Sequence, residues 1–336
     1  MTLPRARLGT TDMEITRVGF GAWAVGGGGW QFGWGRQDES ESVAAIRYAI
    51  EAGVNWIDTA PVYGRGVSEE VVGRALQSVP PEQRPYVFTK CGLVFEADSD
   101  EPRNVAAPAS IRRELDASLR RLRVDRIDVY QVHWPPADGT LLEEYWATMQ
   151  ELKREGKVGA VGLSNHDLDA VRQAEQVGHV DSLQPPLSLI HREAASDLLP
   201  WCAEHGTGVL VYSPMQSGLL SGRMTAERVS QLPPDDWRAT HEDFSGDNLR
   251  ANLALADALR PVADRHGVAV PAVAVAWTLA WPGVTAAIVG ARSPEQVDGW
   301  LPAGALALSA ADLDELAGAV RATGAGAGPP RPGSRR

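Results

Sequence analysis

The chain has 336 residues, 44% hydrophobic and 22% charged, the balance of a soluble protein that can bury a large core. Its formal charge of −11 argues against sequence-independent binding to nucleic acid or an anionic membrane, which need clustered Lys and Arg. Two cysteines, Cys91 and Cys202, exclude a disulfide framework, and no apolar run is long enough for a signal peptide or membrane span, so a cytoplasmic protein is expected.

In chain order, Arg7 to Thr16 reads as a hairpin turning at Gly9-Thr10-Thr11-Asp12, and Arg17 to Trp23 as a first strand. Val43, Ile46, Ala49 and Ile50 are spaced for a helix from Glu39 to Ala52, closed by Gly53. Asn55 to Asp58 follows, then a helix from Ser68 to Gln77 with Ser68 as N-cap and two glutamates in its first turn. Further strands are expected at Tyr86 to Lys90, Ile127 to Gln131, Gly159 to Leu163, Ser182 to Gln184, Gly208 to Tyr212 and Thr285 to Val289. Helices separate them at Ser110 to Leu122, Leu141 to Glu155, Leu168 to Gln176, Ala194 to His205 and Leu249 to His266. Eight strands, nearly all followed by a helix, predict an α/β fold, the parallel (β/α)8 TIM barrel with an N-terminal β-hairpin. Pro271 to Trp281 and Ser309 to Val320 exceed the minimal plan and are expected as two extra helices. No linker divides the chain, so residues 1–323 are expected as one domain, with 324–336 as a disordered Gly/Pro/Arg-rich tail.

A parallel barrel builds its active site at the C-terminal ends of its strands. Those ends carry polar groups in series: Asp58, Lys90, His133 just past the fourth strand, Ser164-Asn165, Gln184, Tyr212-Ser213 and Gly290-Ala291-Arg292. Any one of these is ordinary loop chemistry. Closure of the barrel brings Asp58, Lys90 and His133 to one rim, with Tyr63 on the adjoining loop. A tyrosine titrates near about 10 in water, and a neighbouring ammonium is expected to lower that value. Asp58 would hold the Lys90 ammonium, and His133 would hydrogen-bond the oxygen that becomes negative. The quartet suits delivery of a proton to an alkoxide, the complement of hydride transfer to a carbonyl. There is no nucleophile paired with a base and no metal-type cluster.

The motifs Asp58-Thr59-Ala60-Pro61-Val62-Tyr63-Gly64, Phe88-Thr89-Lys90, Ile127 to Trp134 and Val161-Gly162-Leu163-Ser164-Asn165 resemble those of the aldo-keto reductases. The likeness runs in order to about Val297 and is greatest to the bacterial general-stress-protein branch related to potassium-channel β subunits. It implies a barrel that binds NADP(H) without a Rossmann domain, with NADH as a possible substitute, and a tetrad of Asp58, Tyr63, Lys90 and His133 in which Tyr63 gives the proton. It places Gly21, Ala22 and Trp23 by the nicotinamide ribose, with Ser164, Asn165 and Gln184 on the carboxamide and Tyr212 under the ring. Ser213, Met215, Ser217 and Gly218 would line the pyrophosphate, and Gly290, Ala291, Arg292 and Gln296 the adenosine end, Arg292 suiting a 2′-phosphate. Many relatives clamp adenine with an Asn where Trp300 stands here. Gly19-Phe20-Gly21-Ala22-Trp23-Ala24 fits a loose dinucleotide fingerprint, but the glycines that follow cannot start the required helix.

Tryptophan is abundant, 11 residues against 6 Tyr and 5 Phe. Trp23, Trp30, Trp34, Phe95 and Trp134, on loops beside Tyr63 and His133, are expected to wall an apolar carbonyl pocket. The reading is an NADPH-dependent carbonyl reductase acting on a small molecule, as a monomer or small homo-oligomer. Its rivals are a cofactor-binding regulatory subunit with weak activity and an NAD(P)-dependent sugar or alcohol dehydrogenase.

Overall fold

The computed structural model describes residues 2–96 and 99–333. A hairpin, β1 (Arg5–Arg7) and β2 (Glu14–Thr16), precedes β3 (Val18–Gly21), α1 (Glu39–Glu51), β4 (Trp56–Asp58), α2 (Val67–Gln77) and β5 (Tyr86–Cys91). A second small hairpin, β6 (Leu93–Phe95) and β7 (Pro102–Asn104), leads to α3 (Pro108–Leu122), β8 (Ile127–Val132) and α4 (Leu142–Arg154). Next come β9 (Val158–Ser164), α5 (Leu168–Glu175), β10 (Ser182–Gln184), α6 (Leu198–His205) and β11 (Gly208–Val211). The chain continues through α7 (Ala226–Ser230), α8 (Gly246–Ala258), α9 (Arg260–His266) and α10 (Val270–Leu279) to β12 (Val284–Gly290), α11 (Pro294–Trp300) and α12 (Ala310–Thr323). β3, β4, β5, β8, β9, β10, β11 and β12 close into a barrel of parallel pairs. Among the described residues no helix is long and apolar enough to cross a membrane.

Alternation along each strand decides what the barrel encloses. Trp56, Phe88, Val129, Ala160, Leu210 and Ala286 form one buried cluster, joined by Leu8 and Ile15 from the hairpin. Trp56 takes the space beside Gly19, where a Cβ would lie 2.1 Å from the indole. The intervening residues, such as Ile57, Val87, Tyr130, Val161 and Leu183, belong to the larger core shared with the helices. Two positions further along β4 and β5 the same parity reaches Asp58 and Lys90.

Several helices differ from expectation. α10 is apolar on nearly every side and packs on β12 and α11, so Pro271 to Trp281 is a barrel helix and not an addition. The added pair is α8 and α12, which pack on each other. Leu249 to His266 is two helices meeting at Leu259, because Pro261 has no N–H to continue the first. The stretch from Ala194 splits likewise into a short turn at Glu193–Ala195 and α6. Ser68 is not an N-cap: α2 starts after Gly66 (φ 98°), and the Ser68 hydroxyl donates to the Ala22 carbonyl at 2.7 Å and meets Thr59 Oγ1 at 2.8 Å.

The segment expected as a loose tail makes contacts with the rest of the chain. It lies against the loop after β10, with Ala327 N–H donating to Ile190 O (3.1 Å) and Arg192 N–H to Ala327 O (3.0 Å). The buried Arg192 guanidinium donates to the carbonyls of Leu189, Ile190, Ala325 and Gly328. A segment without periodicity of its own is thus fixed by one arginine. Residues 334–336 of the expected tail lie outside the described residues.

Candidate active site

Register carries the polar series to one end of the barrel. Gly21 pairs with Asp58, Lys90 with Gln131, Gln131 with Gly162, and Ser164 with Gln184. Lys90 Nζ donates to Asp58 Oδ1 at 2.5 Å and to Thr59 O at 3.0 Å, and both ions are buried. Asp58 Oδ2 accepts from Gln184 Nε2 (3.0 Å) and Gln131 Nε2 (3.4 Å), while Gln184 Nε2 also reaches Gln131 Oε1 (3.2 Å). Tyr63 lies over this pair, with Lys90 Nζ 5.3 Å from its ring centroid. His133 stands edge-on to Tyr63, centroids 5.7 Å apart and planes at 82°. The tetrad expected from the sequence is therefore brought together. Gln131, which sequence reasoning passed over, completes it from below; its inward parity was the available signal.

Burial sets the protonation states. It lowers the Lys90 ammonium's pKa, opposed by the paired Asp58 carboxylate. It pushes the His133 imidazole well below its ordinary value, helped by Lys90, so His133 is neutral and can donate a hydrogen bond without giving up a charge. The Tyr63 hydroxyl moves well above its ordinary value, through burial first and the Asp58 charge second. That corrects the expected lowering by Lys90: the ammonium is largely cancelled by Asp58, so desolvation of the phenolate wins. The Tyr63 hydroxyl keeps its proton at neutral pH.

Asp58, Tyr63 and His133 line a cleft of about 1130 Å³, with Lys90 buried beneath them. Asn165, at φ 60°, donates to His133 O (2.9 Å) and accepts from the Tyr212 hydroxyl (2.7 Å), which ties the fifth and seventh strand ends to the backbone of His133. Ser164 Oγ donates to Gln184 O (2.9 Å). The Gln184 amide donates inward, to Asp58 Oδ2 and Gln131 Oε1. Ser213, Gln216, Ser217 and Gly218 all have positive φ, in a tight turn where the Gln216 N–H donates to Ser213 O (2.9 Å) and the Gly218 N–H to Met215 O (3.1 Å). They line the cleft with Met215, Gly290, Ala291 and Gln296. Gly21 is required on the floor, where a Cβ would come within 2.7 Å of Ile288 Cγ2. Trp300 also lines the cleft; its buried indole N–H has no partner among the described residues.

Arg292 lines the cleft and is engaged by its neighbours. Its Nε donates to Gln37 Oε1, Nη1 to Trp34 O (3.3 Å) and Nη2 to Arg36 O (2.5 Å). Gln37 Nε2 returns a bond to Arg292 O (3.1 Å), and Gln296 Oε1 accepts from the Arg292 amide (2.9 Å). Arg223, Arg228 and Arg260 line the same cleft, a local cationic lining that sequence reasoning missed in a chain of net charge −11. A cleft of that volume, with several guanidinium groups and the Tyr212 phenol in its lining, fits a dinucleotide.

Trp23, Trp30, Trp34 and Trp134 line the cleft as expected. Phe95 does not: it packs behind the wall with the Trp30, Ala60 and Val62 cluster, its ring covered by Arg65 at 4.3 Å. Its place is taken by Trp237, from the long segment before α8, which stacks on Trp23 (5.5 Å, 25°) and meets Trp34 edge-on (6.2 Å, 75°). Only tertiary contact between distant loops reveals this residue.

The comparisons with known proteins agree with this geometry. The sequence profile described as Aldo/keto reductase family matches residues 17–321. The NADH-specific methylglyoxal reductase of Escherichia coli is 39% identical over 302 residues, 86% of this chain and 90% of that protein. Aldo-keto reductase YhdN of Bacillus subtilis is 36% identical over 86% of this chain and 85% of its own length. Among solved structures, a glycerol dehydrogenase from Gluconobacter oxydans superposes with a TM-score of 0.85 at 36% identity, covering 100% of this chain and 99% of that one. With the barrel, the cleft and the profile in accord, the chain belongs to the aldo/keto reductase family, whose members use NAD(P)H.

Proposed function

We propose that this chain reduces aldehydes and ketones to alcohols, with Tyr63 as the proton donor. The observation that carries the proposal is the stack of Tyr63 over the buried Lys90–Asp58 pair, beside a neutral His133, on the floor of the cleft. The nicotinamide cofactor, when bound, supplies the hydride to the carbonyl carbon. The chain's own residues do the rest. His133 donates a hydrogen bond that positions the carbonyl oxygen, and Tyr63 transfers its proton to that oxygen as negative charge develops. Lys90 then offsets the charge on the phenolate. Asp58 keeps Lys90 in place, and the tryptophan wall excludes water. Asn165, Tyr212, the Ser213–Gly218 turn and the Gly290–Gln296 segment are assigned to holding the cofactor.

NADPH is the first cofactor reading, because Arg292 is a guanidinium at the assigned adenosine end. A second reading, NADH, is favoured by the engagement of that guanidinium with the loop at residues 34–37, and by the relative named as NADH-specific. The glycerol dehydrogenase neighbour bears on direction: the same residues run in reverse would oxidise an alcohol, with the Tyr63 phenolate as base. The test is a panel of small and aromatic aldehydes with NADPH and with NADH, following loss of reduced-cofactor absorbance and identifying the product. Alcohol formed in step with cofactor oxidation is the expected result, and no turnover with any carbonyl would refute the proposal. For cofactor choice, Arg292→Met should weaken NADPH by at least about tenfold and NADH much less. Equal weakening would remove the 2′-phosphate role.

A further inference from the structure

Trp34 belongs to two groups of contacts at once. Its carbonyl accepts from Arg292 Nη1, and the neighbouring Arg36 carbonyl and Gln37 side chain hold the other side of the same guanidinium. Its indole stands edge-on to Trp23 at 5.2 Å (87°) and to Trp237 at 6.2 Å (75°), and the Arg238 guanidinium lies 4.5 Å over its ring. Trp23 in turn stacks near Tyr63, centroids 6.3 Å apart. One residue therefore joins the latch on Arg292 to the wall beside the proton donor.

The latch engages three of the five N–H groups that a guanidinium carries, counted over Nε, Nη1 and Nη2. Both N–H groups of the Nε–Nη2 edge are among the three, so a phosphate bound bidentately on that edge competes with Gln37 and Arg36, whereas a hydroxyl does not. The opposite end of the latch is soft. Gly27, Gly29 and Gly35 all have positive φ, and a Cβ at any of them would meet nothing within 4 Å. The Trp34 indole N–H has no partner among the described residues, so the ring is held by its edge-on contacts with Trp23 and Trp237 and by the Arg238 guanidinium.

We infer that Trp34 is a specificity-determining residue that couples the cofactor's 2′ substituent to the carbonyl pocket. A 2′-hydroxyl leaves the Arg292 latch closed and the tryptophan wall tight. A 2′-phosphate draws Arg292 off the carbonyls of Trp34 and Arg36, and the wall loosens, so bulkier carbonyls are admitted. The inference rests on the assignment of Arg292 to the adenosine end made under Proposed function.

Fragments that fill only that end separate the two claims. Full-length protein is titrated with adenosine 2′,5′-bisphosphate and with 5′-AMP, reading affinity by calorimetry and the wall by tryptophan emission and its quenching by acrylamide. The expected result is tighter binding of the bisphosphate, with a change in tryptophan emission that 5′-AMP does not produce and that Trp34→Phe and Gln37→Ala each diminish. In turnover, the kcat/KM ratio of benzaldehyde over methylglyoxal should be about fivefold higher with NADPH than with NADH, and should become equal in Gln37→Ala. Tighter bisphosphate binding with the same emission as 5′-AMP overturns the coupling and leaves the Arg292 assignment standing. Equal affinity for the two fragments, in wild type and Arg292→Met alike, overturns both.

Discussion

The two oxygens of Asp58 have different duties. Oδ1 pairs with Lys90, while Oδ2 is held by the amides of Gln131 and Gln184. Without Gln131, Oδ2 keeps only the Gln184 bond, and a buried carboxylate that loses one of its hydrogen bonds is destabilised by about 1–3 kcal/mol and freer to swing away from its ammonium. Gln131→Leu should therefore lower kcat by roughly tenfold, with KM and cofactor affinity nearly unchanged. Gln131→Glu should instead set a second carboxylate against Asp58, which raises the pKa of the pair and moves the acid limb of the pH–kcat profile upward. A profile unmoved by Gln131→Glu would reduce Gln131 to a packing residue.

At the scale of elements, α3 holds the chain just past Lys90: Glu114 Oε2 accepts from the Gly92 amide (2.9 Å), and Glu114 Oε1 from Ser110 Oγ (3.1 Å). Burial raises this carboxyl from 4.5 to about 7. Because its folded pKa lies above the unfolded one, the native state binds the proton more tightly, so this group's contribution is full below about 4.5 and is lost as pH rises to about 7. The loss is at most about 3 kcal/mol. Glu114→Gln keeps an acceptor without the titration, so the decline in Tm between pH 5 and pH 8 should be smaller than in wild type; an identical decline would contradict this. The C-terminal segment makes a second prediction. Ending the chain at Thr323 removes two of the carbonyls that satisfy the buried Arg192, and urea unfolding should show a loss of about 2–3 kcal/mol. A truncated chain as stable as the full one would mean that the segment is only draped on the barrel.

Over the whole molecule, what could be read from the sequence follows the range of the signal. Asp58, Lys90, Ser164 and Gln184 sit at strand ends whose period of two is local, so barrel closure alone brings them together. Trp237 and Gln37 act through loops that meet only in the folded chain, and no local pattern marks them. Ser68 looked like a cap because of its type, but its hydroxyl is used to bind Ala22 across the rim. The tail looked disordered because glycine and proline carry no periodicity, although Arg192 supplies its partners from outside. Charge behaves in the same way. The chain is acidic as a whole, yet its cleft gathers arginines that a net charge of −11 conceals. The claim on which all of this converges is that Tyr63 delivers the proton, and Tyr63→Phe tests it most directly, since it removes one hydroxyl and keeps the ring between Trp23 and His133. Aldehyde kcat/KM should fall by at least about 1000-fold, while Kd for NADH and for NADPH each stay within about threefold of wild type. A variant that still reduces the same aldehydes within about tenfold of the wild-type rate would contradict the account.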